Sequence, residues 1–179
     1  MIPESETFGG TWPYKANYCT TAGFRQHYVD EGSKNGEVII CLHGEPTWGY
    51  LYRRFIKSLS TTYRVVVPDH MGFGKSETPQ DRDYTLQTHV ENITSLIDYL
   101  KLKDITFVGQ DWGGPIGTAY TVRNPERVSR LIYMNTLAGS LSWLLRFAGN
   151  VLLDLSLFHL SVFVARTVML PKRSRPQRN

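Results

Sequence analysis

The run VGQDWGGPIG, residues 108–117, sets Gly109, Asp111 and Gly113 in a GxDxG pattern where strand-forming residues give way to a helix start. A tight corner there needs glycine on both flanks, because it strains the central residue and leaves no room for neighbouring side chains. An aspartate at the tip projects a carboxylate, a group ionised at neutral pH without help. Such a group can attack a saturated carbon bearing a leaving group and form an alkyl ester, and it is ill suited to attacking amides. Releasing the ester takes a base-activated water and donors for the developing oxyanion. The competing reading is that Asp111 only caps the following helix, a role aspartate favours.

A second run, HGEPTW at residues 43–48, breaks the tie. It follows the apolar run VIICL as GQDWG follows ITFV, so two strand ends, begun 68 residues apart at His43 and Asp111, each deliver a glycine-bearing loop. The backbone amides of Glu45 and Trp112 are the expected oxyanion donors. Read alone, His-Gly ahead of Pro46 is equally an ordinary turn.

The elements that must hold these loops follow from periodicity. FRQHYVDEG (24–32) alternates and is expected as an edge strand; EVIICLHG (37–44) and YRVVVPDH (63–70) are near-continuous β-branched runs, as buried strands are. Leu51, Phe55, Ile56 and Leu59 recur at helical spacing. TLQTHVENITSLIDYLKL (85–102) puts Leu86, Val90, Ile93, Leu96, Ile97 and Leu100 on one face behind the N-cap candidate Thr85. ITFVGQ is a strand, WGGPIGTAYTVRNP a helix and RVSRLIYMN a strand. Strands alternating with helices imply an α/β fold, a mostly parallel doubly wound sheet covered on both faces. From Ser140 the alternation stops, and apolar helices are expected as far as Leu170.

The bulk numbers exclude other roles. The net charge of +4 is carried by Lys172, Arg173, Arg175 and Arg178, so the remaining residues are formally neutral and offer no nucleic-acid footprint. Cys19 and Cys41 do not suggest a disulfide framework. The polar N-terminus is no secretory signal, which points to a cytoplasmic protein. Arg146, Asp154, His159 and Arg166 interrupt the apolar segment 141–170, which excludes a transmembrane span and leaves only weak membrane-surface association. No cluster has metal-ligand spacing, and no organic cofactor is implied.

CLHGEPTWGYLYRRFI, VVVPDHMGFGKSETP and VGQDWGGPIG resemble the haloalkane dehalogenases of the α/β-hydrolase superfamily, over about residues 14–140. The resemblance implies an α/β-hydrolase fold with Asp111 as nucleophile, Glu45 as oxyanion amide, and Trp112 both as oxyanion amide and as the indole N–H that holds the departing halide. The substrate would be a small apolar electrophile, a haloalkane or a related molecule. Trp112 is otherwise plain core, and Trp48 and Trp143 are read as packing. The second halide donor usual in the family is not assignable, because an ionised Glu45 side chain cannot donate.

In such enzymes the base is a histidine after the last strand, with the acid between nucleophile and histidine. His27, His43, His70 and His89 all precede Asp111, and His159 reads as a packed residue of a helical cap. Asn135 stands where some relatives carry the acid. The general base and the acid are therefore expected to be missing. The chain divides into 1–139, an N-terminal part of the hydrolase core; 140–170, the start of a helical cap; and 171–179, a basic tail expected to be unstructured. Such a piece should leave a sheet edge exposed. It reads as a dehalogenase-type hydrolase, incomplete or inactive as it stands. An epoxide hydrolase, a β-lactone decarboxylase or a non-catalytic truncated product are the alternatives, and the oligomeric state is open.

Overall fold

The computed structural model describes residues 2–136 and the strand at 167–169. Its seven strands are β1 (Asn17–Cys19), β2 (Gln26–Glu31), β3 (Val38–Leu42), β4 (Arg64–Pro68), β5 (Ile105–Gln110), β6 (Val128–Met134) and β7 (Thr167–Met169), in the sheet order β1-β2-β4-β3-β5-β6-β7. The central four, β4, β3, β5 and β6, are parallel; β2 and β7 run against their inner neighbours, and β1 against β2. Three helices connect them: α1 (Arg53–Leu59), α2 (Leu86–Tyr99) and α3 (Gly113–Arg123).

Side-chain alternation along β3 builds a core on each face. Val38, Ile40 and Leu42 pack with Ile105 and Phe107 against Val90, Ile93, Leu96 and Ile97 of α2 and Ile116 and Tyr120 of α3. Ile39 and Cys41 face the other way, with Val65, Val67 and Val108, onto Ile56 of α1, Tyr52 and Trp12. Both faces are thus covered, as the continuous apolar runs require. The Thr85 hydroxyl accepts from the Thr88 amide and caps α2 as its sequence position implies.

Two expectations are corrected. Residues 24–32 contain β2, which is not an edge strand: β1 lies outside it, a three-residue strand too short to leave a pattern. Thr167–Met169, placed by its apolar run in a helix, pairs instead with Arg130, Leu131 and Ile132 and covers the free side of β6. An unpaired β6 edge offers a row of backbone donors and acceptors, which a β-branched segment such as Thr-Val can satisfy. The rest of the expected cap and the basic tail lie outside the described residues.

The chain reverses direction across the sheet at β3. β4 adds on one side of β3 and β5 on the other, so the crevice at the carboxyl ends of β3 and β5 is the switch point where open α/β sheets bind ligands. The last β3–β5 register pair is Leu42 opposite Gly109.

Candidate active site

Gly44 and Asp111 each lie two residues beyond that register pair, and this brings the two sequence-predicted loops together. The Glu45 amide donates to Asp111 Oδ1 at 3.0 Å. Asp111 sits at φ 50°, in the left-handed region, which costs a non-glycine residue about 1–3 kcal/mol unless the surroundings hold it. They do. Its own amide donates to the Asn135 carbonyl at 3.2 Å, its carbonyl accepts from the Gly114 amide at 3.0 Å, and the Thr136 hydroxyl donates to the same carbonyl.

The glycines around the corner are demanded by close approach. A Cβ on Gly109 would lie 2.8 Å from the Gly113 carbonyl group, and one on Gly113 would lie 2.0 Å from the Leu42 oxygen. At Gly44 a Cβ would stand 2.3 Å from both Cβ and Oδ1 of Asp111. From the opposite face the buried Tyr52 hydroxyl donates to the Leu42 carbonyl at 2.8 Å and the Val108 carbonyl at 3.3 Å, tying the β3 and β5 ends together. Burial pushes that phenol well above its usual range, so it stays a donor.

The capping reading of Asp111 does not hold. No side chain caps the start of α3, and the carboxylate reaches across the crevice to the β3 loop instead. Trp112 is 47% exposed, so it is not core; with Gly44, Glu45, His70, Phe73, Tyr84, Leu86, His89 and Ile116 it lines a cavity of about 120 Å³. Its amide lies at the start of α3, where amides have no intrahelical acceptor. The Glu45 side chain is exposed. Trp48 packs among Phe8, Trp12 and Tyr50 as expected; Trp143 and His159 lie outside the described residues.

Sequence reasoning missed the support beneath the loop at residues 43–48. Asp69, directly after β4, is completely buried, and its carboxylate accepts from the Gly49 amide at 2.8 Å and the Lys75 amide at 2.8 Å and meets His27 Nδ1 at 2.9 Å. It also missed that His70 and His89 share the cavity wall. An acid and a histidine directly behind a buried strand, Asp69-His70, were the available signal. Burial pushes His43, His70 and His89 below the usual imidazole range; neighbouring imidazoles add to the effect at His70 and His89, and Asp69 opposes it at His43. Among the described residues no three His, Cys, Asp or Glu side chains could hold a metal ion, and no helix is long and apolar enough to cross a membrane.

Comparison with known proteins supports the fold. The profile of the family described as alpha/beta hydrolase fold matches residues 37–175. A cis-3-alkyl-4-alkyloxetan-2-one decarboxylase of Shewanella oneidensis is 41% identical over 127 residues, which are 69% of this chain and 39% of that protein. The structure of the haloalkane dehalogenase DpaA from Paraglaciecola agarilytica NO2 superposes with a TM-score of 0.68 at 39% identity, covering 77% of this chain and 50% of that one. The epoxide hydrolase CorEH superposes with a TM-score of 0.65 at 30% identity, covering 70% of this chain and 43% of that one. The chain thus spans between about two-fifths and one-half of the length of these relatives.

Proposed function

Because the chain belongs to the alpha/beta hydrolase fold family, we propose that its switch-point crevice is an alkylation site of the haloalkane dehalogenase type, with Asp111 as nucleophile. The Glu45 amide holds Oδ1, which leaves Oδ2 as the attacking atom. Oδ2 forms a bond to the halogen-bearing carbon, and the carbon–halogen bond breaks with its electron pair going to the halide. The indole N–H of Trp112, at the cavity wall, is the donor suited to receive that halide. In the resulting ester Oδ1 is the carbonyl oxygen. When water attacks the ester carbon the negative charge gathers on Oδ1, where the Glu45 amide already points and the Trp112 amide is the expected second donor. One such donor is typically worth about 10²–10³ in rate.

The observation that carries this reading is the 3.0 Å contact from the Glu45 amide to Asp111 Oδ1. It makes the carboxylate and its oxyanion donor one unit before any substrate arrives. Asp111, Glu45 and Trp112 supply no acceptor for the water's proton, so hydrolysis is expected to be the slower step and the alkyl ester is the species to detect. Incubation with 1-bromobutane should add one butyl group, with loss of bromide, at Asp111 and nowhere in Asp111→Asn, as read by intact mass and peptide mapping. No adduct, or an adduct elsewhere, overturns the proposal. The likeness to an oxetanone decarboxylase favours a second reading, in which the electrophile is a strained oxetan-2-one carrying its own carboxylate leaving group. Labelling with an oxetan-2-one, an epoxide and a bromoalkane side by side ranks the electrophile classes.

A further inference from the structure

Two imidazoles in the cavity wall have no part in the reaction above. His70, next to Asp69, is 4% exposed, and its ring meets that of His89 on α2 at 5.5 Å between centroids and 73° between planes. Both line the cavity that Gly44, Glu45 and Trp112 border.

Their hydrogen positions follow from their neighbours. His43 Nε2 accepts the His70 amide at 2.9 Å, and its Nδ1 lies 2.9 Å from the Gly44 carbonyl. A carbonyl only accepts, so the His43 proton is on Nδ1. His70 Nε2 lies 2.9 Å from the His43 carbonyl and therefore carries the His70 proton. That leaves His70 Nδ1 a bare lone pair, with no donor among the described residues. His89 Nδ1 is enclosed and has no hydrogen-bond partner. An orphaned buried N–H is rarer than an under-satisfied acceptor, so the His89 proton belongs on Nε2. Burial keeps the imidazoles in this neutral form.

We propose that His70 and His89 form a subsite for a hydroxyl group of the substrate, with His89 Nε2–H donating to the hydroxyl oxygen and the hydroxyl O–H donating to the lone pair of His70 Nδ1. The two rings meet edge to face in one cavity wall, and a single oxygen can bridge two nitrogens up to ~5.8 Å apart. A neutral donor beside a neutral acceptor selects against the alternatives: a carboxylate meets the His70 lone pair, an ammonium meets the His89 N–H, and an alkyl group satisfies neither nitrogen. The inference rests on the alkylation reading of Asp111 and narrows its substrate class to short electrophiles that carry a hydroxyl besides the reactive carbon, such as a halohydrin.

The test has two arms. In the first, uniformly ¹⁵N-labelled protein is titrated with 1-butanol and, separately, with 1-fluorobutane, and the imidazole nitrogens are followed in long-range ¹H–¹⁵N spectra. Proton-bearing Nε2 on both rings, and shifts of His89 Nε2 and His70 Nδ1 with the alcohol alone, are expected. Equal shifts with the two ligands, no shifts, or a proton on His89 Nδ1 overturn the subsite whether or not Asp111 alkylates; a subsite that holds only water gives the same null result. In the second arm, Asp111 labelling by 3-bromo-1-propanol is compared with labelling by 1-bromobutane, each corrected for its reactivity toward free acetate. The native ratio should be about tenfold in favour of the alcohol. It should fall to about one in His89→Phe and recover in part in His89→Gln, which restores an N–H donor. A native ratio near one overturns the subsite while leaving Asp111 alkylation standing, and absence of labelling by both probes overturns the alkylation reading instead.

Discussion

Replacing Gly44 with alanine tests whether the sheet register sets the reactive geometry. All three of the nearest contacts of an added Cβ are with Asp111, at 2.3 Å to Cβ, 2.3 Å to Oδ1 and 2.7 Å to Cγ. Moving Oδ1 from 2.3 Å to ordinary contact at 3.4 Å requires a retreat of about 1.1 Å, and that displaces the carboxylate from the Glu45 amide now 3.0 Å away. A misplacement of about 1 Å can cost ~10²-fold in rate. Alkylation of Asp111 by 1-bromobutane should therefore slow about 100-fold. The fold should survive: Gly44 does not use positive φ, so alanine's gain of about 0.4–1 kcal/mol through the unfolded state offsets part of an overpacking strain of about 1–3 kcal/mol. Gly117→Ala is the control, since its Cβ would meet Leu42 and Phe107 each at 3.5 Å, ordinary contacts away from the carboxylate. Pseudo-first-order labelling rates by intact mass, with circular dichroism on both variants, decide the matter. A Gly44→Ala rate within threefold of the parent would refute the claim that the β3–β5 register fixes the site.

Asp69→Asn should destabilise the chain by about 3–5 kcal/mol, because it strips the charge from a buried hub of three donors and turns an amide NH₂ toward at least one of them; urea unfolding measures it, and a loss under about 1 kcal/mol contradicts the hub. Acid should weaken the fold before its carboxylates titrate. His43 and His70 are depressed when folded but protonate near ~6.5 when unfolded, so below that pH the unfolded state binds more protons. Their stabilisation is complete above pH ~6.5 and is lost as pH falls toward the folded values, by up to ~1.4 kcal/mol per pH unit for each imidazole. A urea midpoint that stays flat from pH 7.5 to 5 argues against buried neutral imidazoles.

The strands of the core were legible because a strand buried on both faces cannot alternate: VIICL and VVV are apolar throughout, and the structure puts them side by side at the centre of the sheet. α2 was legible through its single apolar face and its cap. The meeting of the His43 and Asp111 loops was legible too, since each follows a parallel strand at its carboxyl end. What stayed hidden depends on contacts between distant segments. β1 has only three residues, and its pairing partner is chosen by the fold. Met169 looks helical in its apolar run until β6 offers it an edge. Tyr52 carries no motif, yet its hydroxyl bridges two strand ends. His70 and His89 are neighbours only because the chain after β4 and the start of α2 converge on one cavity, which no spacing between them foretells.

The contact at Asp111 is made by a main-chain N–H at position 45, and the glutamate there turns its side chain outward. Any residue except proline, which lacks the N–H, keeps that donor. Exchange of that side chain alters the charge and shape of the cavity mouth while the Asp111 carboxylate keeps its partner, so on the proposed function position 45 tunes which substrate enters and leaves the alkylation step alone.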